Sequence, residues 1–181
     1  MPLGGLFLTA GVDIQRDRIE LEVVAWGRGK ESWSVDYQVL EGQTAEGPVW
    51  AKLTAVLNSH YPTEGGAALP IMMFAIDSGY ATPEVYAWAR HFGGARAVVI
   101  KGDSRALAPV SQPSPIEVGP QGNRVRLGLR LWPVNGAMIR AESQRTHMII
   151  GPALRPATLV PNRPVRMISQ NTPNIGRAKL N

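Results

Sequence analysis

Two apolar, β-forming runs in this chain each close on an aspartate. Leu6 to Ile14 contains Gly11-Val12-Asp13, and Ile71 to Ile76 runs into Asp77-Ser78-Gly79. A buried strand excludes carboxylates unless they are paired or hold a metal. Taken singly, each aspartate also reads as a turn or cap residue where its strand ends. Taken together they constrain the fold. If the two strands are neighbours ending at one sheet edge, the carboxylates repel unless a cation lies between them. Hard oxygen ligands of this kind favour Mg2+ or Mn2+, and phosphodiester cleavage uses such a site.

The pattern around these runs predicts an α/β fold. After Leu6–Ile14 and a polar turn, Arg18 to Trp26 alternates, with Ile19, Leu21 and Val23 on one face and Arg18, Glu20 and Glu22 on the other. Glu31 to Leu40 alternates again, placing Trp33, Val35, Tyr37 and Val39 on one face. These three segments read as an antiparallel meander. Trp50, Leu53, Val56 and Leu57 then fall at helical spacing behind Pro48. The run Ile71 to Ile76 has the continuous apolar character of a strand buried on both faces. Thr82-Pro83-Glu84 predicts a helix start with Thr82 as N-cap, and Gly93-Gly94 its stop near Phe92. Ala97 to Ile100 is a further strand. The expected architecture is a mixed sheet of order 3-2-1-4-5 with helices on both faces.

Residues 102–124, rich in Pro, Gly, Ser and Gln, read as a long loop. Arg124 to Trp132 alternates as a strand with Arg124, Arg126 and Arg130 on its outer face, and Val134 to about Arg145 reads as a helix. From 146 onward, recurrent prolines without a period suggest an irregular basic tail, so the expected division is a domain over 1–145 and a tail over 146–181.

Charge is uneven along the chain. Residues 1–123 carry a net −4, whereas 124–181 carry +9 with Glu142 as their one acid. Such asymmetry suits a polyanion partner or a solvated basic tail. Arginine dominates that segment, which favours bidentate phosphate contacts. The absence of cysteine excludes a disulfide framework and a Cys-ligated zinc site. No apolar run reaches the roughly 18 residues of a membrane span, and the start lacks a positively charged n-region, so neither membrane insertion nor a signal peptide is expected.

Several segments in order carry a resemblance: Gly11-Val12-Asp13-Ile14-Gln15, Ile19 to Gly27, Glu31-Ser32-Trp33 with Asp36-Tyr37, Ala75 to Gly79 with Glu84-Val85-Tyr86, and Ile100-Lys101-Gly102. The set resembles the nuclease domain of lambda-type (GpA) large terminase subunits over roughly residues 6–140. The resemblance implies an RNase H-like fold and metal-dependent endonuclease action on concatemeric duplex DNA during genome packaging in the host cytoplasm. It implies a terminase ATPase domain, a small terminase subunit and a portal as partners. No Gly-rich Walker loop is present in this sequence, so the motor would lie elsewhere. Asp13 and Asp77 match the first two acidic positions. The third corresponds to the stretch Val134 to Arg140, where no aspartate stands, leaving Glu142 or Asn135 for that role. Lys101, Arg124, Arg126, Arg130 and Arg140 are the candidate phosphate contacts.

Two rivals remain at this stage. One is a DNA-binding or assembly module that keeps the fold and has a weakened metal site. The other, an actin-like phosphotransferase, needs phosphate-binding glycine loops that Gly27-Arg28-Gly29 is too short and too charged to provide.

Overall fold

The computed structural model describes residues 1–45, 47–116 and 129–141. In chain order the elements are β1 (Phe7–Ile14), β2 (Arg18–Trp26), β3 (Ser32–Glu41), α1 (Gly47–Leu57), β4 (His60–Pro62), β5 (Ala68–Asp77), α2 (Thr82–Ala89), β6 (Ala97–Gly102), β7 (Ser114–Pro115) and β8 (Arg130–Val134). Residues 136–141 are helical. The chain is an α/β fold with one mixed sheet of order β3-β2-β1-β5-β6-β8-β7, and β4 hairpins onto β5. β1 to β3 are antiparallel, while β1, β5, β6 and β8 run parallel. All four parallel strands therefore end at the same sheet edge, the usual place for a site in an open α/β sheet.

The core lies on one face of this sheet. Leu8, Ala10, Val12 and Ile14 of β1, Ile19, Leu21 and Val23 of β2, and Ile71, Phe74 and Ile76 of β5 are buried there. Against them pack Val49, Trp50, Leu53 and Leu57 of α1 and Val85, Trp88 and Ala89 of α2. Trp88 touches Trp50, Phe74 and Phe92, with ring centroids 4.7–5.6 Å apart. Its indole N–H donates to Thr54 Oγ1 at 2.9 Å, which ties α2 to α1. Helices α1 and α2 thus cover the same face. The same fact corrects the reading of β5. It is buried on one face only, and Met72 and Met73 are exposed where the strand steps past β1 by one extra residue.

A similar irregularity corrects β3. Its pairing with β2 shifts between Val23–Asp36 and Val24–Ser34, so Val35 is an extra residue. Alternation resets at such a bulge. Trp33, Val35 and Leu40 pack on the core, whereas Tyr37 and Val39 turn to the open face. Helix α2 begins differently from expectation too. Ala81, in the left-handed region (φ 48°, ψ 41°), is its N-cap residue, and Thr82 instead donates its hydroxyl to the Ser78 carbonyl at 2.7 Å. The helix ends at Ala89, and the chain turns through Gly93 at φ 69°.

The far side of the sheet is stitched by the long loop. Asp103 and Ser111 donate backbone N–H bonds to Val134 and Pro133, and Asn135 donates to Pro109. The strand expected to close at Trp132 continues to Val134. Pro133 is tolerated there because β7, the outer neighbour, pairs only over two residues. The helix expected from Val134 accordingly opens at residue 136.

Candidate metal and nucleic-acid site

Register puts the two aspartates side by side. β1 and β5 pair in parallel through Gly11–Ala75 and Val12–Ile76, so the next residues along, Asp13 and Asp77, end neighbouring strands on the same face. That face is the open one, because Val12 and Ile76 point into the core. Both carboxylates are half-buried. Burial pushes Asp13 above its ordinary value, and the neighbouring charges of Asp77 and Glu20 push the same way. The Gln15 hydrogen bond and the Arg18 charge oppose them. Asp77 is raised by burial as well, against hydrogen bonds from the Gly79 and Ser78 backbone and the charge of Lys101. Two acids held this close, each resisting ionisation, gain from a shared divalent cation.

The turn after Asp77 is tightly made. Ser78 is fully buried, and both its N–H and its hydroxyl donate to the Ile100 carbonyl at 2.9 Å, locking β5 to β6 at the site edge. A Cβ on Gly79 would stand 3.0 Å from Asp77 Oδ2, so only glycine fits beneath the carboxylate without displacing it.

On the β2 side, Asp13 lies directly opposite Glu20. Gln15 Nε2 donates to Asp13 Oδ2 at 3.0 Å and to Glu20 Oε1 at 3.2 Å. Glu20 also accepts from Arg18 Nε at 2.7 Å and from the Tyr37 hydroxyl at 2.5 Å. The sequence pattern assigned no role to Gln15 and placed Glu20 on a wet strand face. The signal was present in the hairpin: pairing Ile14 with Ile19 forces Asp13 and Glu20 onto one face.

The remaining candidates divide as follows. Asn135 is buried, and its amide is fully engaged. Its Oδ1 accepts from the Ala137 and Met138 N–H groups, and its Nδ2 donates to the Ser104 and Ala106 carbonyls. It caps the helix over residues 136–141 and fastens the loop to it. Lys101 is exposed on the strand beside Asp77 and acts on its charge. Arg130 is exposed on β8, two residues before Trp132, which lies opposite Ile100 and so level with Asp77. Arg140 is exposed on the helix after Asn135. Glu142, Arg124 and Arg126 lie outside the described residues, as does the whole stretch expected to form a tail. Among the described residues, no group of three or more His, Cys, Asp or Glu side chains gathers to hold a metal. Also among them, no helix is long and apolar enough to cross a membrane.

The two carboxylates fit a divalent cation that prefers oxygen and keeps several waters. Asp13 and Asp77 supply hard, charged donors from adjacent rigid strands. A Cβ at Gly11 would meet nothing within 4 Å, so the face beside them is open there.

Comparison with known proteins identifies a family. The model of the family described as terminase large subunit gpA, endonuclease domain, matches residues 1–150. The chain is 35% identical over 106 residues to the terminase large subunit of Escherichia phage lambda, covering 58% of this chain and 16% of that protein. It is 32% identical over 111 residues to the terminase large subunit of Enterobacteria phage P21, covering 61% of this chain and 17% of that protein. The match thus spans less than a fifth of the length of either relative. No solved structure matches it.

Proposed function

The chain belongs to the family of gpA terminase large subunit endonuclease domains, and from that premise we propose that it is a metal-dependent endonuclease that cuts concatemeric duplex DNA during phage genome packaging in the host cytoplasm. The observation that carries this reading is the register of β1 and β5, which sets Asp13 beside Asp77 at the sheet edge. In the proposal Asp13 and Asp77 hold Mg2+ or Mn2+, and Glu142 completes the acidic set. Asn135 supports the site as a helix cap, since its oxygen is already committed. When bound, the cation would lower the pKa of a water and steady the leaving oxygen of the phosphodiester.

The protein's own part is positioning. Ser78 locks β5 to β6, so the Asp77 backbone cannot drift from the edge. Lys101 and Arg130, with Arg124, Arg126 and Arg140, would hold the phosphate backbone in a sequence-independent, salt-sensitive manner. An ATPase domain, a small terminase subunit and a portal are the proposed partners, and the fold is proposed to be RNase H-like. A second reading, a DNA-binding assembly module with a weakened site, is favoured by one observation: the described residues present only two aspartates at the edge.

Supercoiled plasmid incubated with the protein and Mn2+ separates the two. Nicking or linearisation by the wild type, abolished by EDTA and by Asp77→Asn, is expected. Salt-sensitive DNA binding with no cleavage by the wild type would refute the nuclease reading and favour the binding module.

A further inference from the structure

Glu20 and Asp13 face each other directly across the β1–β2 hairpin on the open face. Like charges in such a pair destabilise a sheet, so the arrangement needs a compensating group. The usual solution is a lysine or arginine between them. Here Arg18 bonds Glu20 and Asp17 and reaches Asp13 only through its charge, the Tyr37 hydroxyl bonds Glu20, and the hydrogen-bonded bridge to Asp13 is a neutral amide. Both partners of Gln15 are carboxylates, which only accept, so the amide must turn its nitrogen to them. It holds Asp13 Oδ2 at 3.0 Å and Glu20 Oε1 at 3.2 Å.

The difference between an amide and a cation matters. A lysine in that place would fix Asp13 equally well and cancel its charge. Gln15 fixes it and leaves the charge for another cation. The bond takes one oxygen, Oδ2, and among the described residues Oδ1 has no hydrogen-bond partner. The amide is itself anchored: Glu20 also accepts from Arg18 of its own strand and from Tyr37 of β3, and its side chain is only 13% exposed. Three strands therefore converge on the orientation of one carboxylate.

We propose that Gln15, braced by Glu20, Arg18 and Tyr37, is a positioning residue that aims Asp13 at a divalent cation without neutralising it. This rests on the metal-site reading above. Groups that orient metal ligands in this way commonly change metal affinity by 10- to 100-fold when removed.

The test is Mn2+ titration by calorimetry of the full chain, alongside thermal melts in EDTA. Wild type, Gln15→Met, Gln15→Lys and Asp13→Asn would be compared. Gln15→Met keeps the side-chain length and loses the donor, so Mn2+ binding is expected to weaken roughly 10-fold, and the metal-free protein to melt lower because the Asp13–Glu20 pair loses its bridge. Gln15→Lys restores donors to both carboxylates, so the metal-free protein is expected to melt as high as wild type or higher. Its Mn2+ affinity should nevertheless fall at least as far as that of Gln15→Met. A purely structural glutamine would leave Mn2+ affinity intact in both folded variants. That result, with wild type binding and Asp13→Asn not binding, overturns this inference alone. No Mn2+ binding by the wild type overturns the metal-site reading and this inference with it.

Discussion

Gly79→Ala isolates the geometry of the site from the stability of the fold. Gly79 lies outside the left-handed region, so its backbone accepts alanine. In such a position alanine restricts the unfolded chain and stabilises by roughly 0.4–1 kcal/mol. The new Cβ would stand 3.0 Å from Asp77 Oδ2, where ordinary contact begins at 3.4 Å. The carboxylate must therefore yield by about 0.4 Å, close to the roughly 0.5 Å tolerance of a preorganised site. A misplacement of about 1 Å can cost about 100-fold in rate, so a loss on the order of 10-fold is expected for this smaller one. Melting in EDTA should stay level or rise by a degree or two, while Mn2+-dependent plasmid nicking falls about 10-fold. Wild-type nicking by a folded Gly79→Ala protein would refute the reasoning that Asp77 Oδ2 must keep its place. A melting point several degrees lower would refute the claim that the clash falls only on the carboxylate.

Removing one of the paired acids should stabilise the metal-free protein. Asp13 and Asp77 both titrate above the ordinary carboxylate value of 3.8, so above that pH the folded state binds more protons than the unfolded state. Stability then falls as pH rises through the raised values, and the loss is complete above them. In EDTA, Asp77→Asn should melt above wild type near pH 7, with the gap closing as pH falls toward 4; a lower melting point for the variant at neutral pH would contradict this. In the core, Leu53 is fully buried between α1 and the sheet, so Leu53→Ala should cost about 2–5 kcal/mol. Denaturant melts would check it, and a loss below about 1 kcal/mol would show that the site collapses around the smaller residue.

The elements were legible where a local pattern is decisive. Strands β1 and β2 alternate cleanly because one face meets the core, and α1 announces itself through Trp50, Leu53 and Leu57 at helical spacing. Asp13 and Asp77 stood out because a carboxylate at the end of an apolar strand needs a reason. What a local pattern cannot carry is which residue is supernumerary. Val35 and Met72 each shift a register by one, and a shift of one exchanges the faces. Tyr37 thereby reaches Glu20 instead of the core. Thr82 likewise looked like a cap from its neighbours in sequence, and a carbonyl four residues back claims its hydroxyl.

The sequence by itself determined the element types and the apolar faces of β1, β2 and α1, and it marked two aspartates at the ends of apolar strands, since propensity and periodicity act over a few residues. Only the tertiary structure decided that Asp13 and Asp77 are neighbours, that α1 and α2 cover one face, and that Asn135 is consumed as a cap while Gln15 is drawn into the site. The first of those facts depends on strand pairing between segments some 60 residues apart. Pairing of that range is set by how the whole core packs, which no short stretch of the chain encodes.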